Sequence, residues 1–288
     1  MSIFVDETNK VVVQGATGHQ GVFHIGEMID FGTKVVAGVT PGKAGQNVHD
    51  VPIFNDVNDA VTETAANTSL VLVPARFAKD AVFEALDAGI KTIVVITENI
   101  PFQDAMEFVH YAKYNNAVLI GPNCPGIASP GKTKIGILPG SIFKKGNVGV
   151  ASRSGTLTYE IVNSLKEKGI GQSTCVGLGG DPIIGTTFID SLDAFEKDKE
   201  TKAVVLVGEI GGTAEEDAAQ HIIDHISKPV FAFIAGRTAP QGKRMGHAGA
   251  IISRGKGTAK SKIEAFQKAD VKLAKFPTDI ADLVKQHL

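Results

Sequence analysis

The chain has 288 residues, of which 43% are hydrophobic and 21% charged, with a net charge of −2. That describes one large or two ordinary globular domains and leaves no general surface for a polyanion, so nucleic acid is not an expected partner. The two cysteines, Cys124 and Cys175, exclude a disulfide scaffold and point to a reducing compartment. No apolar run approaches a membrane span. The short, acidic N-terminus reads as neither a signal nor a transit peptide. The cytoplasm is the expected location, and a mature organellar protein freed of its leader would read the same way.

The first predicted strand, Val11–Val13, runs into glycines at 15, 18 and 21 and then a predicted helix over 22–31. Strand, glycine turn and helix open a nucleotide-binding βαβ unit, although the spacing is G-x-x-G-x-x-G rather than the dinucleotide G-x-G-x-x-G. Glycines here let backbone N–H groups approach phosphate oxygens at a helix start. A tight strand-to-helix turn needs glycine as well, so two readings stand at this point.

The next strand is predicted over Lys34–Val39 and is followed by Lys43. A dinucleotide dehydrogenase places an acid at the end of this strand to accept the ribose hydroxyls. A cation suits a phosphorylated ribose better. It favours a ligand such as CoA over NAD, with NADP and a solvated loop lysine as the other readings.

Further apolar strands are predicted at 70–73, 92–96 and 118–120, alternating with helices. Val- and Ile-rich strands in that alternation form a parallel sheet covered on both faces. The segments after the strands gather at its carboxyl edge, which puts Thr97 and Glu98 on the same edge as Thr17 and Gly18. Glu98 either accepts hydrogen bonds from a ligand or caps the next helix. Residues 126–146, rich in Gly, Pro and Lys, read as a link, so the expected domains are 1–125 and 126–288.

The second domain restarts the pattern with a strand at 148–151, the segment Ser152–Thr156 and a helix over 157–168. Ser154, Gly155 and Thr156 at a helix start form an anion site in kind, or Ser154 is a plain N-cap. Strands follow at 174–178, 203–207 and 230–235, with a helix over 214–225 whose first turn carries Glu215, Glu216 and Asp217, as the helix dipole favours. Beyond the last of these strands lie Lys243, Arg244 and then His247 between Gly246 and Gly249. Two cations suit an anion, and the flanking glycines let a large group approach the imidazole. His247 is therefore a candidate for covalent chemistry on a phosphoryl group, against a solvated loop histidine. Glu209 and His247 follow consecutive strands, so the carboxylate can meet the ring and fix its tautomer. The competing reading of Glu209 is a surface salt bridge. A helix from about 263, a strand at 271–274 and a helix over 278–285 complete the chain.

With these residues in view, the chain resembles the α subunits of succinyl-CoA synthetases over essentially its whole length. The most specific segments are Gly-Pro-Asn-Cys-Pro-Gly (121–126), Ser-Arg-Ser-Gly-Thr-Leu-Thr-Tyr-Glu (152–160), Gly-Glu-Ile-Gly-Gly (208–212) and Gly-Lys-Arg-Met-Gly-His-Ala-Gly-Ala (242–250). The resemblance implies an α/β chain with a Rossmann-like CoA-binding domain followed by a flavodoxin-like ligase domain. It implies that His247 is phosphorylated during turnover with Glu209 beside it, and that Tyr159 contacts substrate. It further implies CoA contacts from Thr17, Gly18, His19, Gln20, Lys43, Ile96, Thr97 and Glu98, and a helix start near Gly155 that faces the phosphohistidine. Succinate, CoA and phosphate are the implied substrates, with no metal site on this chain. Mg²⁺ and ATP/ADP or GTP/GDP are expected on a β subunit, in an αβ pair or a pair of such pairs. Close alternatives are acyl-CoA synthetases for malate or acetate. A CoA- or nucleotide-sensing binding protein is an alternative of another class, and Lys43 argues against a dehydrogenase.

Overall fold

Short Val/Ile runs separated by helix-length segments have one economical outcome, a parallel sheet with helices on both faces. The computed structural model describes residues 2–240, 242–252 and 255–288 and contains two such arrangements. One compact unit comprises Phe4–Gly140 with Ile183–Gly185. The other comprises Ser141–Pro182 and Thr186–Leu288 together with Ile3.

In the first unit the elements are β1 (Lys10–Gln14), α1 (His19–Asp30), β2 (Lys34–Val39), β3 (Asn47–Val48), β4 (Val51–Phe54), α2 (Val57–Thr64) and β5 (Thr68–Val71). They continue with α3 (Ala75–Asp87), β6 (Thr92–Val95), α4 (Phe102–Tyr114), β7 (Val118–Ile120), β8 (Gly126–Ser129) and β9 (Thr133–Gly136). The sheet order is β3-β4-β2-β1-β5-β6-β7. Only the β3–β4 pair in it is antiparallel. From the central β1 the chain builds outward through β2 on one side and through β5 on the other. Their carboxyl ends are level, with Gln14 opposite both Val39 and Val71. This is the Rossmann-like arrangement expected, in which open α/β sheets bind ligands where the strand order reverses.

Three local differences from the sequence reading have physical causes. Helix α1 begins at His19 rather than near Val22, because Gly18 with an extended backbone serves as its N-cap. Gly21 therefore lies inside the helix, where a Cβ would sit 2.3 Å from the Gly15 carbonyl oxygen. Second, β3, β4 and α2 were passed over. The strands are two and four residues long with Pro52 in β4, too short for periodicity to register, and α2 is announced chiefly by its cap, Asp56, which accepts from the Asp59 N–H at 2.8 Å. Third, the segment read as a link contains a buried antiparallel hairpin, β8–β9. Its glycines serve close strand approach: a Cβ on Gly126 would meet the Ile135 carbonyl oxygen at 2.1 Å. The hairpin groups with the first unit, so the compact units divide at Gly140/Ser141.

The second unit contains β10 (Lys145–Ser152), α5 (Gly155–Glu167), β11 (Gln172–Gly177), α6 (Phe188–Lys197), β12 (Ala203–Glu209), α7 (Ala214–His225) and β13 (Val230–Ala235). After them come α8 (Ala259–Lys268), β14 (Lys272–Leu273) and α9 (Asp279–Lys285). Within the unit the strands lie in the order β14-β13-β12-β10-β11, all parallel. Counted from β10, that is the 2-1-3-4-5 order of a flavodoxin-like sheet, with the reversal between β10 and β12. Helix α6 was not read from the sequence, although Thr187 and Asp190 form a complete capping box at its start. It packs Phe195 over β10 at Gly149, where a Cβ would stand 2.5 Å from the ring. Strand β12 runs two residues past its predicted end, so Glu209 is itself a strand residue, level with Ala235 of β13.

Candidate active site

The candidate catalytic residues gather at the reversal point of the second sheet. Ser152 ends β10 level with Val207 of β12, which puts Arg153–Thr156 and Glu209 at one carboxyl edge. The segment carrying His247 folds back over that edge. The Met245 N–H bonds the Ala250 carbonyl at 2.9 Å, and the Gly249 N–H reaches the Gly180 carbonyl, just beyond β11, at 3.1 Å. The imidazole lies directly on Gly180, where a Cβ would be 2.3 Å from its Cγ. Gly180 is therefore the residue that admits the ring.

Nδ1 of His247 faces both carboxylate oxygens of Glu209, at 2.9 and 3.0 Å. An ionised carboxylate only accepts, so Nδ1 carries the hydrogen and Nε2 carries the lone pair. Glu209 is only 6% exposed, which removes the surface-salt-bridge reading. A buried carboxylate without compensation costs several kcal/mol. Arg153 supplies it: one guanidinium nitrogen is 3.5 Å from Glu209 Oε1, and another is 2.9 Å from Glu215 Oε1. Glu215 Oε1 in turn accepts the backbone N–H of Glu209 at 3.0 Å. Behind it, Lys262 Nζ bonds Glu215 Oε2 at 2.5 Å, Glu216 Oε2 at 2.8 Å and the Gly212 carbonyl at 3.0 Å. The side chains of Glu215 and Lys262 are wholly buried.

These contacts set the protonation of the ring. The Glu209 hydrogen bond holds the His247 pKa above the usual histidine value, against the opposing effects of burial and of Arg153, with Asp181 adding to the rise. Burial disfavours the charge on Arg153, but Glu215 and Glu209 outweigh it and raise its pKa further. Arg153 is a permanent cation here.

Ser154 is the N-cap of α5, its hydroxyl accepting from the Leu157 N–H at 3.4 Å. The capping reading is thus correct for its side chain, and the N–H groups of Gly155 and Thr156 lie in the first helical turn, where intrahelical partners are lacking. Tyr159 is half-buried one turn further on. Lys243 and Arg244 are exposed.

In the first unit, Gly15 takes φ +86° and turns the chain after β1. Its N–H bonds the Val39 carbonyl at 2.9 Å. Thr17 bonds the Thr40 hydroxyl through its N–H at 3.3 Å and its hydroxyl at 3.2 Å. Gly18, His19 and Gln20 are exposed at the start of α1, and Lys43 is exposed beyond β2. Beyond β6, the Thr97 hydroxyl donates to the Val73 carbonyl at 2.7 Å. Ile96 and Thr97 are half-buried and Glu98 is exposed. Glu98 does not cap α4, whose N-cap is Pro101. All eight predicted residues thus stand at the carboxyl edge of one sheet. Cys124 is buried and donates to the Val95 carbonyl. Burial pushes its thiol up to about 12, so it is a packed residue and no nucleophile.

Sequence reasoning missed Arg153, Gly180, Glu215 and Lys262. Arg153 stood inside a quoted motif without a role. Glu215 reads as a dipole-complementing acid in the first turn of its helix, and nothing in the spacing of α8 marks Lys262 as buried.

Comparison with known proteins places this geometry. Residues 6–99 match the family described as CoA binding domain, and residues 151–272 match the family described as CoA-ligase. A nucleotide-type binding edge in one sheet and a carboxylate-held histidine in the next define a CoA-ligase class of chain. The succinate–CoA ligase [ADP-forming] subunit alpha 2 of Archaeoglobus fulgidus is 60% identical over 288 residues, which is 100% of both chains. The corresponding alpha subunit of Aquifex aeolicus is 56% identical, covering 100% of this chain and 95% of its own. The chain belongs to the family of α subunits of succinate–CoA ligases. Among solved structures, an ATP citrate lyase from Methanothrix soehngenii in complex with citrate and coenzyme A superposes with a TM-score of 0.91 at 25% identity. It covers 99% of this chain, which spans 50% of that longer one.

Proposed function

We propose that the chain, paired with a β subunit, interconverts succinyl-CoA, phosphate and ADP with succinate, CoA and ATP, with His247 as the phosphoryl carrier. The observation that carries this is the double contact of Nδ1 with buried Glu209, which leaves the lone pair of the neutral ring on Nε2. An oxygen of inorganic phosphate attacks the thioester carbonyl, and the CoA thiolate leaves, giving succinyl phosphate. Nε2 of His247 attacks the phosphorus, and the bond to the succinate oxygen breaks. An oxygen of the nucleoside diphosphate then takes the phosphoryl group from the ring. Throughout, the hydrogen stays on Nδ1 and is donated to the Glu209 carboxylate, which stabilises the ring as it gains positive charge. The names of the relatives, which specify ADP, support ADP over GDP.

On this reading Thr17, Gly18, His19 and Gln20 hold the CoA diphosphate at the start of α1, where backbone donors and the helix dipole favour anions. Lys43 meets the phosphorylated ribose. Ile96, Thr97 and Glu98 line the pantetheine arm. Ser154, Gly155 and Thr156 receive phosphate at the start of α5, and Tyr159 contacts the acid. Mg²⁺ and the nucleotide are brought by the β subunit, in an αβ pair or a pair of such pairs, and the complex works in the cytoplasm.

The test is direct. The αβ complex incubated with ATP labelled in its terminal phosphate and Mg²⁺ is expected to acquire acid-labile label on this chain, and His247→Asn to acquire none. Label that survives acid, or that persists in the variant, would overturn this reading, and a wild-type chain that takes no acid-labile label is what a CoA-sensing binding protein predicts. Assays across succinate, malate and acetate fix the acid.

A further inference from the structure

We propose that Glu215 and Lys262 are positioning residues of the phosphoryl-transfer site. Their buried pair holds Arg153 against Glu209 and so fixes the orientation and the charge balance of the carboxylate that grips His247. The inference rests on the phosphohistidine reading above and extends it to two side chains that never touch the ring.

The geometry is a continuous chain of charge. From His247 it passes to Glu209 at 2.9 Å, from Glu209 to Arg153 at 3.5 Å, from Arg153 to Glu215 at 2.9 Å, and from Glu215 to Lys262 at 2.5 Å. It ends at Glu216, 2.8 Å from Lys262. The Glu216 carboxylate is partly exposed and accepts from the Ser261 hydroxyl at 2.8 Å. The four buried members, Glu209, Arg153, Glu215 and Lys262, balance two negative charges against two positive ones. A neutral His247 leaves that balance untouched, whereas an imidazolium adds a charge to it. Asp181, beyond β11, and Arg153 also act on the ring.

Stability alone is a poor explanation for this arrangement. Replacing a buried ion-pair network by packed apolar residues is often neutral or stabilising. Two features tie the network to the site. Glu215 uses the same oxygen, Oε1, to bond Arg153 and the backbone N–H of Glu209, so it orients both the cation and the main chain of the active carboxylate. Arg153 and Lys262 also bond the carbonyls of Gly211 and Gly212. Gly211 lies so close to the His247 loop that a Cβ on it would be 1.9 Å from the Gly249 carbonyl oxygen. The ion chain therefore holds Glu209 and the Gly211–Gly212 turn against which the His247 loop packs.

The prediction distinguishes tuning from scaffolding by sign. Lys262→Met leaves a surplus negative charge, which favours imidazolium, so the acid limb of the pH profile for phosphohistidine formation moves to higher pH. Glu215→Gln leaves a surplus positive charge and moves the limb to lower pH. Each shift is expected at about half a pH unit or more, since opposite charges in partly buried sites move pKa values by that order. The double variant restores the balance and returns the limb toward the wild-type position. The measurement is the rate of label transfer from ATP to this chain in the αβ complex across about pH 5.5–8.5, from one unit below to two above the ordinary histidine value of about 6.5, with the ring of His247 titrated by NMR in histidine-labelled complex. Shifts of the same sign in both single variants, or unmoved limbs in assembled complexes, would overturn the proposal. Lys262→Arg keeps the charge and serves if the methionine variant fails to assemble. A wild-type profile in it supports the proposal, and a displaced one counts against it. If the wild type itself takes no label on His247, the phosphohistidine reading fails, and the NMR titration still tests the network.

Discussion

The two carboxyl edges handle negative charge by opposite means. At the edge of the first unit, a glycine turn and the first turn of α1 present backbone N–H groups, and Lys43 is exposed to solvent. At the edge of the second unit, Arg153, Glu209, Glu215 and Lys262 are buried and paired through side chains. On the function proposed above, the difference follows from what each edge has to do. Holding a diphosphate needs donors that are fixed and cheap to desolvate, which main-chain groups are. Passing a phosphoryl group through an imidazole needs a ring whose tautomer and charge are set, and only a buried counter-charge sets them strongly, because solvent screens exposed pairs to about 0–1 kcal/mol.

Substitutions that affect one edge and spare the other test this contrast. The two largest effects are expected at Gly180 and Glu209. A methyl group on Gly180 overlaps the His247 ring, so Gly180→Ala should displace the imidazole and cut phosphohistidine formation by about a hundredfold or more, in line with the cost of misplacing a reacting group. CoA affinity, measured by calorimetry on the same complex, should not change. Glu209→Gln comes next. Loss of the tautomer-fixing carboxylate should slow label transfer by about two to three orders of magnitude. The pH dependence supplies a second readout. Glu209 raises the His247 pKa, so the imidazolium persists above the normal histidine range and the wild-type rate climbs with pH through that raised value. In Glu209→Gln the climb should occur at lower pH, and a profile that stays in place would reduce Glu209 to a scaffold.

At the other edge the effects are smaller and of a different kind. Gly21→Ala puts a Cβ 2.3 Å from the Gly15 carbonyl oxygen, which pushes α1 off the glycine turn. CoA binding should weaken by about tenfold or more with a lowered melting temperature (overpacking costs about 1–3 kcal/mol), while ATP still phosphorylates His247. Lys43→Glu reverses one exposed charge and should weaken CoA by several-fold, and dephospho-CoA, which lacks the 3′-phosphate, by less. Equal losses for the two ligands would move Lys43 away from the ribose phosphate.

The elements that the sequence disclosed were those with a strong local cause. Helix 214–225 and strands 34–39, 118–120 and 230–235 match their predicted bounds, because long apolar periodicity or a Val/Ile run between breakers determines them with little help from the rest of the chain. The glycine turn after β1 and the glycines around His247 were legible for the same reason. The domain link was misread because glycine and proline signal flexibility and close packing alike. Only the hydrogen-bonded partner strand shows that Gly126 and Gly136 stand opposite each other in a buried hairpin.

What the sequence determined by itself is the order of elements, the sheet class and the residue types delivered to each carboxyl edge, since these depend on local pattern and on the rule that parallel strands send their following loops to one end. Only the tertiary structure decided which of those residues share a desolvated space. Glu215 sits two residues from the exposed Asp217 on the same helix and yet is wholly buried against Arg153 and Lys262, which lie 62 and 47 residues away in the chain. Burial and charge pairing depend on distance and dielectric rather than on spacing in the chain. Linear pattern therefore identified His247 and Glu209 as candidates, and the folded sheet supplied the cations that let a buried carboxylate hold the ring.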